Sequence, residues 1–253
     1  MRVAARLVPR SPAVGRSHGA AVCGGGAPTT TAPPAVWCLD LADPDWDLAA
    51  AAALLDDAET ARALRAAPGV RRRRVLLRAG LRVVLGRLLG VPAGRVPIAA
   101  EDGRPRLAGA AGRRGIQVSC SASEGVGLLA VAWGTPVGID VQRHRDAEAR
   151  AALDEDWLAP AELRALAGLP PADRWPAVTR CWTQKEAVLK GSGVGLRRWP
   201  ATVLTPVAGR GRSGDWSLAP VPVPAGWVAS LAVRSPVAVP EGAVIALTPG
   251  ALR

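Results

Sequence analysis

Apolar and polar positions along the chain follow two periods. Period-two runs rich in Val, Leu and Trp predict strands at residues 35–41, 116–119, 126–133 and 137–141. Apolar residues three and four apart predict helices at residues 47–66, 70–90, 147–158, 160–166 and 174–190. From residue 201 onward, short apolar runs broken by Pro and Gly predict further strands. The order strand, helices, strands occurs twice, which favours an α+β fold built from two similar halves.

The same pattern predicts the limits of these halves. Residues 1–34 are rich in Gly, Pro, Ser, Thr and Arg without periodicity, so we expect a disordered leader. An N-terminal α+β half is expected at 35–135 and a C-terminal α+β half at 136–253. Within the first half, the small polar run 121–125 is predicted to be the turn between two strands.

Composition narrows the class of protein. The net charge of +11 indicates an acidic partner. The four cysteines form no CxxC pair and the chain has two histidines, which argues against a zinc site and against a disulfide framework. Buried free cysteines suit a reducing compartment, so we expect a cytoplasmic protein. The longest apolar run has eight residues, too few to span a bilayer, so no membrane partner is expected.

Lysine usage singles out one segment. Lys185 and Lys190 are the chain's two lysines, and every other basic residue except histidine is arginine. Phe, Tyr and Asn are absent, which is typical of a GC-biased gene that uses Arg wherever Arg serves. A compact ammonium and a planar guanidinium are not interchangeable, so this segment is a candidate functional site. The alternative is an ordinary surface pair between Glu186 and Lys190.

Two carboxylates, one within this segment and one outside it, are candidate site residues. Asp140 ends a predicted strand, and Glu186 lies on a predicted helix four residues before Lys190, so Glu186 and Lys190 share one helix face. Two carboxylates from adjacent elements suit Mg²⁺, and a carboxylate beside an ammonium suits a base next to a phosphate-binding cation. Trp182 and Leu189 are expected to anchor the opposite face in the core. The alternative for Asp140 is a turn or cap residue.

These residues carry a family resemblance. The run Gly138-Ile139-Asp140, followed about forty residues later by Trp182-Thr183-Gln184-Lys185-Glu186-Ala187-Val188-Leu189-Lys190, resembles the 4'-phosphopantetheinyl transferase superfamily. The length and the two-half layout resemble its surfactin-synthetase-activating branch, a pseudo-dimer within one chain. Gly103-Arg104-Pro105 is similar to a Gly-Lys-Pro turn of that family.

The resemblance implies an activity and a set of roles. The implied reaction moves the 4'-phosphopantetheine arm of coenzyme A to a serine of an apo acyl, peptidyl or polyketide carrier protein and releases 3',5'-ADP. A monomer with Mg²⁺ or Mn²⁺ is implied, with Asp140, Glu186 and Gln142 as metal ligands. Catalysis is assigned to Asp140, Glu186 and Lys190. Coenzyme A contacts are assigned to Arg73, Arg82, Arg104, Ser121, Lys185 and Lys190.

Two departures from the family pattern leave alternatives open. Gln142 stands where the family usually has a third metal-binding Glu, and Ala122 stands where it usually has a His near the nucleotide. A family member that binds carriers without catalysis is therefore one alternative. A basic nucleic-acid-binding protein is another, but no zinc finger or RNA-binding motif is present, and Phe and Tyr stacking platforms are missing. We expect no nucleic acid partner.

Overall fold

The first sheet has four strands in the order β10, β1, β5, β4. The computed structural model describes residues 32–101, 104–193, 199–239 and 242–252, so the predicted leader lies almost wholly outside the described residues. Strands β1, β5 and β4 pair antiparallel and β10 runs parallel to β1. The bounds are β1 Ala35–Asp40, β4 Ile116–Ser123, β5 Val126–Trp133 and β10 Val244–Ala246.

The second sheet also has four strands, in the order β6, β9, β8, β7, and all neighbours are antiparallel. Its bounds are β6 Val137–Arg143, β7 Gly211–Ser213, β8 Trp216–Pro220 and β9 Trp227–Arg234. A separate hairpin joins β2 Ile98–Glu101 to β3 Arg104–Leu107. The two sheets share one arrangement of three strands. In the first sheet β5 lies between β1 and β4, and in the second sheet β9 lies between β6 and β8.

Seven helices complete the described fold, and two of them are long. The bounds are α1 Leu48–Ala53, α2 Asp57–Leu64, α3 Pro68–Leu89, α4 Gly109–Arg113, α5 Asp146–Ala151, α6 Pro160–Ala167 and α7 Pro171–Ser192. Helices α3 and α7 have 22 residues each, start with a proline that needs no backbone partner, and end at a left-handed glycine, Gly90 or Gly193. None of the described helices is long and apolar enough to cross a membrane.

Three predicted boundaries are wrong for local reasons. The single helix at 47–66 is two helices, because Asp56 and Glu59 form a reciprocal capping box that starts α2. The helix at 147–158 ends at Ala151 and continues as a 3₁₀ turn, Ala152–Glu155. The run 121–125 is largely strand, since β4 continues to Ser123 and only Glu124-Gly125 turns.

Backbone pairing with β5 extends β4 to Ser123, and serine side chains of β4 bind the other sheet. Strand β6 is an edge strand, so its outward N–H groups need partners. Three alternate serine hydroxyls of β4 accept from three alternate N–H groups of β6 at 3.1, 3.4 and 2.9 Å. The pairs are Ser119 with Ile139, Ser121 with Val141 and Ser123 with Arg143. We call these three contacts the serine ladder, and they join the two sheets.

Each half also contains a buried cation on its long helix. Arg82 follows the first residue of α3 by fourteen residues, and Lys185 follows the first residue of α7 by fourteen. Arg82 pairs with Glu59 of α2, and Lys185 pairs with Glu162 of α6; both pairs span 23 residues. Glu59 and Glu162 each occupy the third position of their helix and accept from the residue that caps it.

Backbone carbonyls complete both clusters. Arg82 also donates to the oxygens of Gly94 and Val96, and Lys185 donates to those of Pro200 and Val203. We call these the first clamp, around Arg82, and the second clamp, around Lys185. The shared topology, helix lengths and clamps confirm an α+β fold with two similar halves.

Candidate active site

A cavity of about 380 Å³ lies where α3, β4, β6 and α7 meet. Helix α7 contributes Trp182, Glu186 and Lys190, which share one face because they are four residues apart. Strand β6 contributes Asp140 and Gln142, which share one face because they are two residues apart. The cavity therefore receives its chemistry from one helix face and one strand face.

A glycine allows these two faces to approach. Gly138 lies on the same face of β6 as Asp140. A methyl group at Gly138 would overlap the carbonyl oxygen of Ala187 and would lie 2.6 Å from the Gly191 nitrogen. The missing side chain thus lets the backbone of α7 lie directly against β6, which brings Lys190 to Asp140.

Asp140 is the centre of a buried polar cluster. Its side chain is 1% exposed, and Lys190 Nζ donates to its Oδ1 at 2.5 Å. Ser121 Oγ donates to the same oxygen at 2.7 Å and accepts from Lys190 Nζ at 2.9 Å. Burial alone would lower the pKa of the Lys190 ammonium, but the adjacent Asp140 carboxylate outweighs burial and the pKa is raised. Lys190 therefore stays charged.

Glu186 has the opposite environment. Its Oε1 is buried and has no hydrogen-bond partner among the described residues. Burial first, and repulsion by Asp140 second, raise the pKa of Glu186, while Lys190 partly offsets them. A carboxylate with a raised pKa and a free oxygen can accept a proton or a cation.

The donor set fits a divalent cation that keeps some of its water. Asp140 and Glu186 are two carboxylates at one cavity, and the free Oε1 of Glu186 is a vacant ligand. Gln142 Nε2 donates to Asp140 Oδ2 at 3.2 Å, so its amide must turn to offer oxygen. Where the structure describes the chain, no group of three His, Cys, Asp or Glu side chains could hold a metal. Any ion here depends on two carboxylates and one amide.

Arginines form the cationic side of the cavity. Arg73 and Arg74 of α3 line it, and Arg74 donates to the Arg62 carbonyl. Arg73 makes no hydrogen bond or ion pair with any residue in the described ranges, which leaves its guanidinium available to an anion. Arg104 lies beside Gly193 at the end of α7. Its Nη1 is buried without a partner in the described part of the chain, and burial, then Arg106, lowers its pKa.

The chain is similar in sequence to known proteins, and the similar region includes the cavity residues of β6 and α7. Residues 136–210, which include Asp140, Glu186 and Lys190, match the family model described as the 4'-phosphopantetheinyl transferase superfamily. Over 165 residues the chain is 34% identical to the 4'-phosphopantetheinyl transferase HetI of Nostoc sp., covering 64% of this chain and 70% of that protein. The chain belongs to the 4'-phosphopantetheinyl transferase superfamily.

The structure places two of the predicted coenzyme A contacts away from the cavity. Lys185 is fully buried in the second clamp, where burial lowers its pKa and Glu162 opposes that effect. Arg82 is 2% exposed in the first clamp and is bonded to Asp56 and Glu59. Neither side chain lines the cavity, because each is directed into its own half.

The remaining predicted residues of this transferase homologue lie in or beside the cavity. Asp140, Gln142, Glu186, Lys190, Arg73 and Ser121 line it, and Arg104 lies outside the lining but close enough to Cys120, a lining residue, for the thiol to affect its pKa. Their contacts with coenzyme A stay predictions.

Some lining residues escaped the sequence reasoning. Trp182 was expected on the helix face opposite Glu186, but it lines the cavity beside Glu186 while it also packs against the core residue Trp157, with ring centroids 5.2 Å apart. Its spacing of four from Glu186 was the available signal. Arg74, Leu77 and Cys120 also line the cavity, and nothing local in the sequence links α3 and β4 to α7.

Proposed function

We propose that this protein transfers the 4'-phosphopantetheine arm of coenzyme A to a serine of an apo carrier protein and releases 3',5'-ADP. The observation that carries the proposal is the cavity itself: Asp140, Glu186 and Lys190 meet there beside Arg73, whose guanidinium has no partner among the described residues. The family relationship supports a phosphopantetheinyl transferase, and HetI bears that name.

The reaction needs a base for the serine proton and cations for the phosphates, and the cavity residues can supply both. The serine oxygen attacks the phosphorus that carries pantetheine, a new O–P bond forms, and the bond to the phosphate of 3',5'-ADP breaks. The nucleophile comes from the partner, so this chain has to supply a base and cations. Glu186, with its raised pKa and free oxygen, suits the base that takes the serine proton.

The cations suit the anionic substrate. Lys190 keeps its charge next to Asp140 and can donate to a diphosphate oxygen at the cavity. Arg73 and Arg104 offer unsatisfied guanidinium donors, which fit the phosphates of coenzyme A. Asp140, Glu186 and Gln142 would hold Mg²⁺ or Mn²⁺, which when bound would neutralise charge on the diphosphate.

Several finer assignments belong to the same proposal. The repeated clamp and long helix support membership in the surfactin-synthetase-activating branch, with halves at 35–135 and 136–253. We further propose a cytoplasmic monomer that acts on acyl, peptidyl or polyketide carriers and has no nucleic acid partner. An acidic carrier surface would suit the net charge of +11.

A direct assay tests the transfer. Purified protein, fluorescent coenzyme A and a panel of apo carriers should give a labelled carrier in the presence of Mg²⁺, and chelation should stop it. The matched control is each carrier with its acceptor serine changed to alanine, which should stay unlabelled. Binding to carriers without labelling of any of them would instead support the non-catalytic alternative that Gln142 and Ala122 favour.

A further inference from the structure

We propose that Lys185 is a positioning residue: it fixes helix α7 so that the neighbouring Glu186 carboxylate faces the cavity. The proposal rests on the proposed transferase function of the same cavity. It replaces a phosphate contact with a role in the protein interior, on a different side of α7 from the face that lines the cavity.

The second clamp is fully satisfied. Lys185 is 0% exposed, and its ammonium has three N–H donors for three acceptors: Glu162 Oε2 at 2.7 Å, Pro200 O at 3.1 Å and Val203 O at 2.6 Å. Because this cation is fully buried, the low local dielectric strengthens its attraction to each acceptor. One side chain thus ties α7 to α6 and to the segment that follows α7.

Glu162 extends this connection. Its Oε1 accepts from both the N–H and the hydroxyl of Thr205 at 2.7 Å, and its Oε2 accepts from the Ala159 N–H at 2.8 Å. Glu162 is 2% exposed, so none of these contacts is loosened by solvent. Residues 159, 162, 185 and 200–205 therefore form one rigid support beneath α7.

Glu186 depends on such a support. Its Oε1 has no hydrogen-bond partner in the parts of the chain that the structure describes. Its position is consequently set by the backbone of α7, which is anchored one residue earlier by Lys185. A shift of α7 by a fraction of an ångström would move the carboxylate relative to Asp140 and Lys190 without removing any group from the cavity.

The first half supplies a matched control. Arg82 occupies the equivalent place in α3, and the residue after it is Val83, a buried apolar side chain. Loss of the first clamp should therefore weaken folding, whereas loss of the second should weaken folding and also displace Glu186.

Four variants of the full chain separate these effects: K185M, K185R, E162Q and R82M. We measure the melting temperature, coenzyme A binding by calorimetry without carrier, kcat and KM for transfer, and amide hydrogen exchange in α7. For K185M we expect kcat to fall about 100-fold, as for a slightly misplaced catalytic group, with the Kd for coenzyme A within about threefold of wild type. Exchange should rise at residues 186–190. R82M should lower the melting temperature but leave kcat within about threefold.

Conservative variants keep the test decisive if K185M does not fold. K185R retains a cation and should recover part of kcat, and E162Q should give a smaller loss of kcat with the same unchanged Kd. A Kd for coenzyme A raised about tenfold or more in E162Q or K185R would restore a phosphate-binding role and overturn the proposal. Equal losses of kcat in R82M and the Lys185 variants would show a purely structural role.

The two levels of the proposal fail separately. A wild-type protein that labels no carrier counts against the transferase function. Wild-type-like exchange at residues 186–190 in K185M or E162Q rejects the positioning role, whether or not transfer is observed.

Discussion

Helices α3 and α7 have the same length, the same proline start, the same glycine end and a buried cation at the same position, yet only α7 presents reactive groups to the cavity near its C-terminus. At the places that correspond to Trp182, Glu186 and Lys190, α3 has Ala79, Val83 and Arg87. Ala79 and Val83 are buried, and Arg87 is exposed. The same helix face therefore contributes no residue to the cavity in α3 and provides reactive groups in α7. The two helices differ at three positions on that face.

The clamps show a second difference. Arg82 makes four hydrogen bonds to two carboxylates and two carbonyls, whereas Lys185 makes three to one carboxylate and two carbonyls. A guanidinium suits the first set and an ammonium the second. Lysine is used in the second clamp because only three acceptors face it.

The largest expected difference between the halves is at Glu186 and Val83. E186Q should lower kcat by about 10⁴-fold, because the base is lost, while the melting temperature stays near that of wild type. V83A should do the reverse: about 1–3 kcal/mol of stability lost and kcat kept. Steady-state labelling of a carrier and thermal unfolding measure the two effects. An active E186Q would remove Glu186 from the catalytic role.

A second pair compares Lys190 with Arg87. K190M should lower kcat/KM by about 10²–10³-fold, since the cation at the diphosphate is lost. R87M alters an exposed side chain and should change stability by less than about 0.5 kcal/mol, with no change in kcat/KM. Similar behaviour of the two variants would contradict the assignment of the phosphate-binding cation to Lys190 of α7.

A third pair tests the close contact between β6 and α7. G138A should lower kcat by about 10²-fold, because the added methyl group moves α7 away from Asp140. The corresponding residue of β1 is already alanine, and A35G should cost about 1 kcal/mol or less without affecting kcat. Full activity of G138A would show that α7 tolerates the displacement.

The smallest expected effect concerns the cysteines of the two halves. Burial raises the pKa of the Cys181 thiol to about 11, and burial followed by Asp40 raises that of Cys38. At pH 8 the Cys181 thiolate is scarcer than that of an ordinary thiol by about 100-fold, so alkylation of Cys181 should be slowest. Because the folded pKa is raised, the stabilisation from the neutral thiol should be lost as pH rises from about 9 to 11. Mass spectrometry after timed alkylation, with unfolded protein as the control, measures the ratio.

Much of the fold could be predicted from the sequence because periodicity reports which face of an element is buried. The helices at 70–90 and 174–190 and the strands around Asp140 were confirmed within a few residues. Spacing along one helix also predicted that Glu186 and Lys190 share one helix face, and both line the cavity. The burial of Lys185 and Arg82 could not be predicted, because it depends on contacts with α6 and α2 that no local pattern encodes. The place of Trp182 in the cavity was missed because an aromatic at helical spacing fits a core equally well, and Trp182 does pack against one.

The serine ladder has a consequence for how this protein could change in evolution. Ser119 and Ser123 serve only the seam between the sheets, but Ser121 also contacts Lys190 and Asp140. One hydroxyl group, that of Ser121, thus contributes both to the contact between the sheets and to the candidate site. A lineage could replace the outer serines one at a time and remain active, whereas a change at position 121 would alter assembly and reactivity in a single step.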